Sequence, residues 1–303
     1  MGVLFVIDYN SPLTEDYLTK GRSDRCPVVD MHAHMFNCYE CNMVVDTPEK
    51  QLAHMDKSGV QLSLFCSHNV LAGGPDFYQG DLEVCRRFPE RFRMYMGLCT
   101  AESDFSKDLS FMEKNDEVWG LKMHPSFFQA PLSDPRNDPY LAYAEERHLP
   151  VLAHTWHGNA VADEKEARKV LEKYNDLVFV AGHSFRGSFT AGPKLAEDYP
   201  NVVLELTAVL SQRGMLEAFI DAGLEDRIVF GVDAPWFSYE FGIGAILDAH
   251  LSDTQREKIL WKNAVRILSQ ADIRPNNTLR FLTEMLKKSY RKQAHQLNSK
   301  CGI

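Results

Sequence analysis

Eight short apolar runs, each followed by a stretch of helical period, set the tightest limit on what this chain can fold into. The runs lie at 27–33, 60–66, 92–98, 118–124, 151–154, 177–183, 201–206 and 227–233. Helical patterns fill 48–59, 76–88, 105–115, 138–148, 162–174, 190–198, 212–222 and 254–269. Nearly continuous apolar strands are buried on both faces, the habit of parallel sheets covered by helices. Eight strand-helix units predict an α/β fold, a (β/α)8 TIM barrel with parallel strands. An open doubly wound sheet is the alternative, but it would more often carry a glycine-rich phosphate turn after an early strand, and none is present. The 303 residues suit a single domain, a barrel at about 26–270 with an N-terminal extension and a C-terminal helical extension at 271–303.

Composition bears on partners. A formal net charge of -9 argues against nucleic acid or an anionic membrane, both of which need clustered positive charge, and favours a small-molecule substrate. The partly basic tail, with a helix expected at 277–294, reads as a packing extension or a homo-oligomer contact. Residues 1–8 have no basic region and only a five-residue apolar stretch, so neither signal peptide nor membrane span is expected there and the protein reads as cytoplasmic. Seven cysteines, at 26, 38, 41, 66, 85, 99 and 301, suit reduced thiols better than a disulfide framework.

In such a barrel the strand C-termini carry the active site, and five of the runs end in residues with chemistry to offer. His32-Ala33-His34 closes the first. Alternate residues of a strand point the same way, so both imidazoles can reach one ion. The fourth run ends with Lys122 and His124 on one strand face, the fifth with His154, the sixth with His183 and the eighth with Asp233. Neutral imidazole with a carboxylate suits zinc and other borderline divalent metals. Singly, each residue has a plainer explanation. His32, His34 and His154 could be hydrogen-bonded core histidines, Asp233 an N-cap for 234–236, and Lys122 an ion-pair partner of Glu205 or a contact for a substrate anion. Together and in this order they point to a metal site.

These residues resemble the ordered signature of the amidohydrolase superfamily, over about 26–270. Gly120-Leu121-Lys122-Met123-His124-Pro125 and Trp261-Lys262-Asn263-Ala264 resemble its amidohydrolase 2 branch, which holds metal-dependent hydrolases and aromatic acid decarboxylases. The resemblance implies a divalent metal, zinc first, as one or two ions. A single ion would be held by His32, His34, His154 and Asp233, with His183 orienting water or polarising substrate and Asp233 shuttling a proton. For two ions, a carboxylated Lys122 would bridge them and His154 and His183 would hold the second. The implied reaction is hydrolysis of a C–O or C–N bond (ester, lactone or amide) by metal-activated water, toward which a lysine at the bridging position tips the reading. The alternative is decarboxylation of an aromatic or unsaturated acid, with Asp233 protonating the carbon as CO2 departs. A silent, ligand-binding barrel is a third reading, disfavoured because every expected metal position is filled.

Loops at 35–47, 68–76, 125–137, 155–161, 184–189 and 234–245 would choose the substrate. His124, His157, Arg186 and Trp236 are candidate substrate contacts. Their plainer fates are loop fixing for His124, a surface site for His157, a salt bridge for Arg186, and packing under a lid for Trp236 and Phe237. Cys38 and Cys41 read as loop packing, since a lone CxxC cannot make a four-cysteine zinc site.

Overall fold

The computed structural model describes residues 11–37, 42–102 and 104–301. Its strands are β1 (Val28–Ala33), β2 (Val60–Phe65), β3 (Phe92–Leu98), β4 (Val118–Met123), β5 (Val151–His154), β6 (Phe179–Gly182), β7 (Val202–Glu205) and β8 (Ile228–Val229). They pair in sequence order, every pair parallel. The last segment then returns to the first. The Met31 amide donates to the Phe230 carbonyl at 2.9 Å, the Asp233 amide to the His32 carbonyl at 2.9 Å and the His34 amide to the Ala234 carbonyl at 2.6 Å. The result is a TIM barrel. All residues of β1, β3 and β4 are buried, as strands packed between a filled interior and a helical ring must be.

Three departures from the sequence reading affect the site. The eighth run keeps ladder geometry only at Ile228–Val229, because Gly231 lies against the Glu205 carboxylate and the His32 side chain. A Cβ at 231 would overlap that carboxylate, so only glycine lets the chain pass. The helix expected at 76–88 begins at Tyr78, after a separate helix His68–Gly73 and a 3-10 turn Gly74–Phe77. Helices Pro12–Lys20 and Tyr239–Asp248 occupy stretches that periodicity did not mark.

The Trp261-Lys262-Asn263-Ala264 motif has a structural task. Asn263 Nδ2 donates to the carbonyls of Glu225 at 2.7 Å and Ile228 at 2.8 Å, pinning the 254–269 region under β8. That region is Asp253–Glu257 and Asn263–Gln270 joined by a π turn, Lys258–Lys262. Helix Asn277–Cys301 lays Leu279, Leu282 and Leu286 into the core. Among the described residues no helix is long and apolar enough to cross a membrane.

Candidate metal centre

His32 reaches the barrel mouth through an irregularity in β1. Asp30 pairs with Ser63 and Ala33 with Phe65, so β1 has one residue more than β2 over that step. The Asp30 carboxylate accepts from the His32 amide (2.9 Å), Ser63 Oγ (3.1 Å) and Tyr239 OH (3.1 Å), and burial pushes it up to about 8. His32 Nδ1 lies 2.8 Å from Glu205 Oε2, and the amides of His183 (3.1 Å) and Thr207 (2.6 Å) donate to the same carboxylate. His34 Nδ1 lies 2.6 Å from the Cys66 carbonyl. A carbonyl only accepts, so the proton of neutral His34 sits on Nδ1 and its Nε2 is bare. The Glu205 carboxylate imposes the same tautomer on His32.

Both bare nitrogens face Asp233 Oδ1, His34 Nε2 at 2.9 Å and His32 Nε2 at 3.4 Å. These three candidate ligand atoms lie within 4.8 Å of one another, and Asp233 Oδ1 is buried without a hydrogen-bond donor among the described residues. Converging lone pairs call for a cation: the Lys122 ammonium reaches His32 Nε2 at 2.8 Å, and a proton on an imidazole or a metal ion would serve His34 and Asp233 as well. Burial, with the Lys122 charge beside it, holds His32 well below the ordinary imidazole range, which disfavours the proton. Burial opposes ionisation of Asp233, but its pairing with His34 and His32 outweighs this and holds the carboxyl well below the usual range. The donor set fits a divalent metal. The backbone of Asp233 is left-handed (φ 59), and its carboxylate faces the histidines while its carbonyl accepts from the Trp236 amide at 2.8 Å.

The other polar residues form a second layer. Lys122 Nζ lies 2.8 Å from His32 Nε2, not on Glu205, and burial pushes its ammonium toward the neutral amine. Its bond occupies the lone pair that an ion at His32 would use, so lysine and ion compete unless the amine is modified or turns away. His154 Nδ1 meets His183 Nε2 at 2.9 Å, and His183 Nδ1 is buried without a partner among the described residues. Burial lowers His124, His154 and His183, the last to about 3. His124 stacks on His154 with ring centroids 4.1 Å apart, and its Nδ1 accepts from the Phe127 amide. Thus His32, His34 and Asp233 converge, Lys122 adjoins His32, and His154 with His183 forms a separate pair.

At the rim, His157 is solvent-facing and paired with Glu164 at 3.1 Å. Arg186 has no carboxylate partner among the described residues; its guanidinium lies 5.0 Å from the Trp156 ring centre and its Nε is buried and unsatisfied. Trp156 in turn stacks on His154, with centroids 6.0 Å apart. Trp236 Nε1 donates to His68 Nε2 at 2.8 Å, so His68 carries its proton on Nδ1, 2.8 Å from the Phe36 carbonyl. His68 also stacks on His34 at 4.9 Å. Neither His68 nor Trp156 was marked by the sequence, since no spacing relates them to the ligand set; Ser67 as an N-cap was the one local sign of a helix there. Phe237 stacks on Phe241. Cys38 and Cys41 lie outside the described residues.

This arrangement of a barrel with its histidines and aspartate agrees with a family match: residues 29–270 match the family described as Amidohydrolase, the amidohydrolase 2 model. The chain belongs to the amidohydrolase 2 family. Solved structures share the fold of this amidohydrolase at low identity. One is 2,6-dihydroxybenzoate decarboxylase from Rhizobium (13% identity, TM-score 0.65, covering 80% of this chain and 99% of that one). Another is 5-carboxyvanillate decarboxylase from Novosphingobium aromaticivorans complexed with manganese and a nitrobenzoic acid (12%, 0.64, 81% and 97%). A third is a probable 2-pyrone-4,6-dicarboxylic acid hydrolase from Acinetobacter baumannii with citric acid bound (15%, 0.56, 80% and 99%). No curated protein matches the chain. Amidohydrolase 2 neighbours thus include both decarboxylases and a hydrolase.

Proposed function

We propose that this amidohydrolase is a metal-dependent hydrolase of the cytoplasm that cleaves a C–O or C–N bond, in an ester, lactone or amide, of a small molecule. The observation that carries the reading is the convergence of His32 Nε2, His34 Nε2 and Asp233 Oδ1, buried and without a donor for the carboxylate oxygen. His32, His34 and Asp233 would hold the ion, zinc first, with His154 as a further ligand. Lys122, whose ammonium burial shifts toward the neutral amine that carboxylation needs, would join a two-ion site with His154 and His183. When bound, the ion supplies a Lewis acid that acidifies water and polarises the substrate. Asp233 takes a proton from the attacking water and returns it to the leaving group. His183, backed by His154, holds a proton beside the reacting centre. Arg186, free of any described carboxylate, would grip an anionic substituent, with Trp156, Trp236, His124 and His157 around the substrate. Cys26, Cys66, Cys85 and Cys99 are free and buried, in keeping with a reducing compartment.

Decarboxylation is the second reading. The names of two structural neighbours support it, and so does an arginine stacked on an indole, which suits an aromatic acid. The deciding experiment measures metal per chain by mass spectrometry and screens the loaded protein on esters, lactones, amides and aromatic acids. One or two ions with hydrolysis is the expected result. Release of CO2 without hydrolysis would replace it by the second reading, and absence of both metal and turnover would overturn the enzyme reading.

A further inference from the structure

His183 stands on an unusual piece of backbone. His183 (φ 66), Ser184 (φ 44) and Phe185 (φ 57) are consecutive left-handed residues, and none is glycine. Side chains tolerate that region singly, at turns; a run of three persists only where its surroundings hold it.

The clamps are visible. Glu205 Oε2 accepts from the His183 amide at 3.1 Å, and Ser184 Oγ donates to the Glu205 carbonyl at 2.8 Å. Thr155, fully buried just beyond β5, spans the turn from the other side. Its hydroxyl donates to the Gly182 carbonyl at 2.7 Å, before the turn, and accepts from the Phe185 amide at 3.1 Å, at its end. One hydroxyl therefore touches both ends of the left-handed segment: at Gly182 it adds to the Thr155 amide, which donates to the same carbonyl at 3.0 Å, and at Phe185 it is the acceptor of the amide. The turn sets the His183 ring 5.1 Å from that of His32, with Nε2 on His154 Nδ1 and Nδ1 buried without a partner. In the ordinary right-handed conformation the Cα–Cβ bond would leave in another direction and the ring would quit this place.

We propose that Thr155 is a positioning residue whose hydroxyl locks the left-handed turn 183–185 and so aims the His183 imidazole into the metal site. The effect on turnover rests on the proton-holding task given above to His183; the geometric effect does not. The test compares Thr155→Val, which removes the hydroxyl at nearly constant shape, with Thr155→Ser, which keeps it. In metal-free protein, proton and nitrogen NMR of the imidazoles should show the proton shared between His183 and His154. That signal is expected in the wild type and in Thr155→Ser, and absent from Thr155→Val. Loaded Thr155→Val should lose kcat by on the order of a hundredfold with little change in KM, and Thr155→Ser should recover most of it.

A shared-proton signal that survives in Thr155→Val, or is lost equally in Thr155→Ser, would overturn the clamp. Loss of the signal with unchanged turnover would keep the clamp and remove the catalytic task from His183. Should Thr155→Val fail to fold, Thr155→Ala, which also lacks the hydroxyl, takes its place. It should lose the shared-proton signal as Thr155→Val does, and a signal that survives in it would overturn the proposal.

Discussion

Asp233 Oδ1 has two imidazole nitrogens close by and no hydrogen to accept from the described neutral tautomers. Replacing Asp233 by Asn leaves volume nearly unchanged but puts a neutral amide where the proposed ion and proton carrier would stand. Turnover is expected to fall more than about a hundredfold while circular dichroism and melting stay near wild type. Bound metal, counted in the same preparation, should fall with it; full metal and full activity in Asp233→Asn would remove Asp233 from the mechanism. A second residue-scale test concerns His68, which holds the half-exposed Trp236 indole by one hydrogen bond. His68→Phe keeps a ring against His34 but removes the acceptor. Trp236 fluorescence should shift to the red as the indole turns to solvent, an effect absent from a Trp236→Phe background. The convergence of His32, His34 and Asp233 was legible because strand alternation put the two histidines on one face and because Asp233 ends an apolar run. His68 and Thr155 were not, because their contacts arise from loops meeting across the barrel and leave no periodic mark.

At the scale of elements, the strands were readable because burial on both faces writes them as apolar runs, while β8 shows where that rule yields. Its run continues to Asp233, but the approach of Glu205 at Gly231 and the bond from the Phe230 amide to the Ile259 carbonyl turn the chain away early. Helix Tyr239–Asp248 escaped for the opposite reason. It is apolar around most of its girth, with Gly242 packed against Val232 and Phe230, so it lacks a polar stripe. Its start was nonetheless signalled by Ser238, whose hydroxyl accepts from the Phe241 amide at 3.1 Å. Helix Pro12–Lys20 likewise carries Ser11 before Pro12 and Gly21 at its end, cap signals on a segment too short for periodicity to count. The stability of β8 makes a prediction here. Asn263→Ala deletes both bonds that tie the following helix to the start of β8, leaving the Glu225 and Ile228 carbonyls without those donors. A loss of about 2–4 kcal/mol is expected from urea unfolding, with bound metal lowered as Asp233 loosens. An unchanged unfolding midpoint would show that the motif does not support the strand.

Across the whole molecule, several carboxyl groups are buried without a cation, and each couples folding to pH. Asp81 stands apart from the candidate metal site. Its Oδ2 accepts from the Ser67 amide at 2.9 Å, its Oδ1 has no partner among the described residues, and burial pushes it up from 3.8 to about 7. The sign follows from which state holds the proton. Between about pH 4 and pH 7 the folded protein keeps a proton on Asp81 that the unfolded chain has released, so stability from this group is greatest below pH 4. It declines as pH rises through the window and is gone above about 7, where the folded state carries a buried charge. Asp81→Asn cannot titrate, and its amide oxygen can still accept from the Ser67 amide. Relative to wild type the variant should therefore gain stability steadily from pH 4 to pH 7, by a few kcal/mol in all at about 1.4 kcal/mol per pH unit, and then run parallel above pH 8. Asp30, raised to about 8, contributes its own slope to both proteins equally, so the difference between their urea midpoints isolates Asp81. Midpoints that stay parallel from pH 4 to pH 8 would mean that Asp81 is ionised in the fold throughout, with a counter-charge or water supplied to its Oδ1.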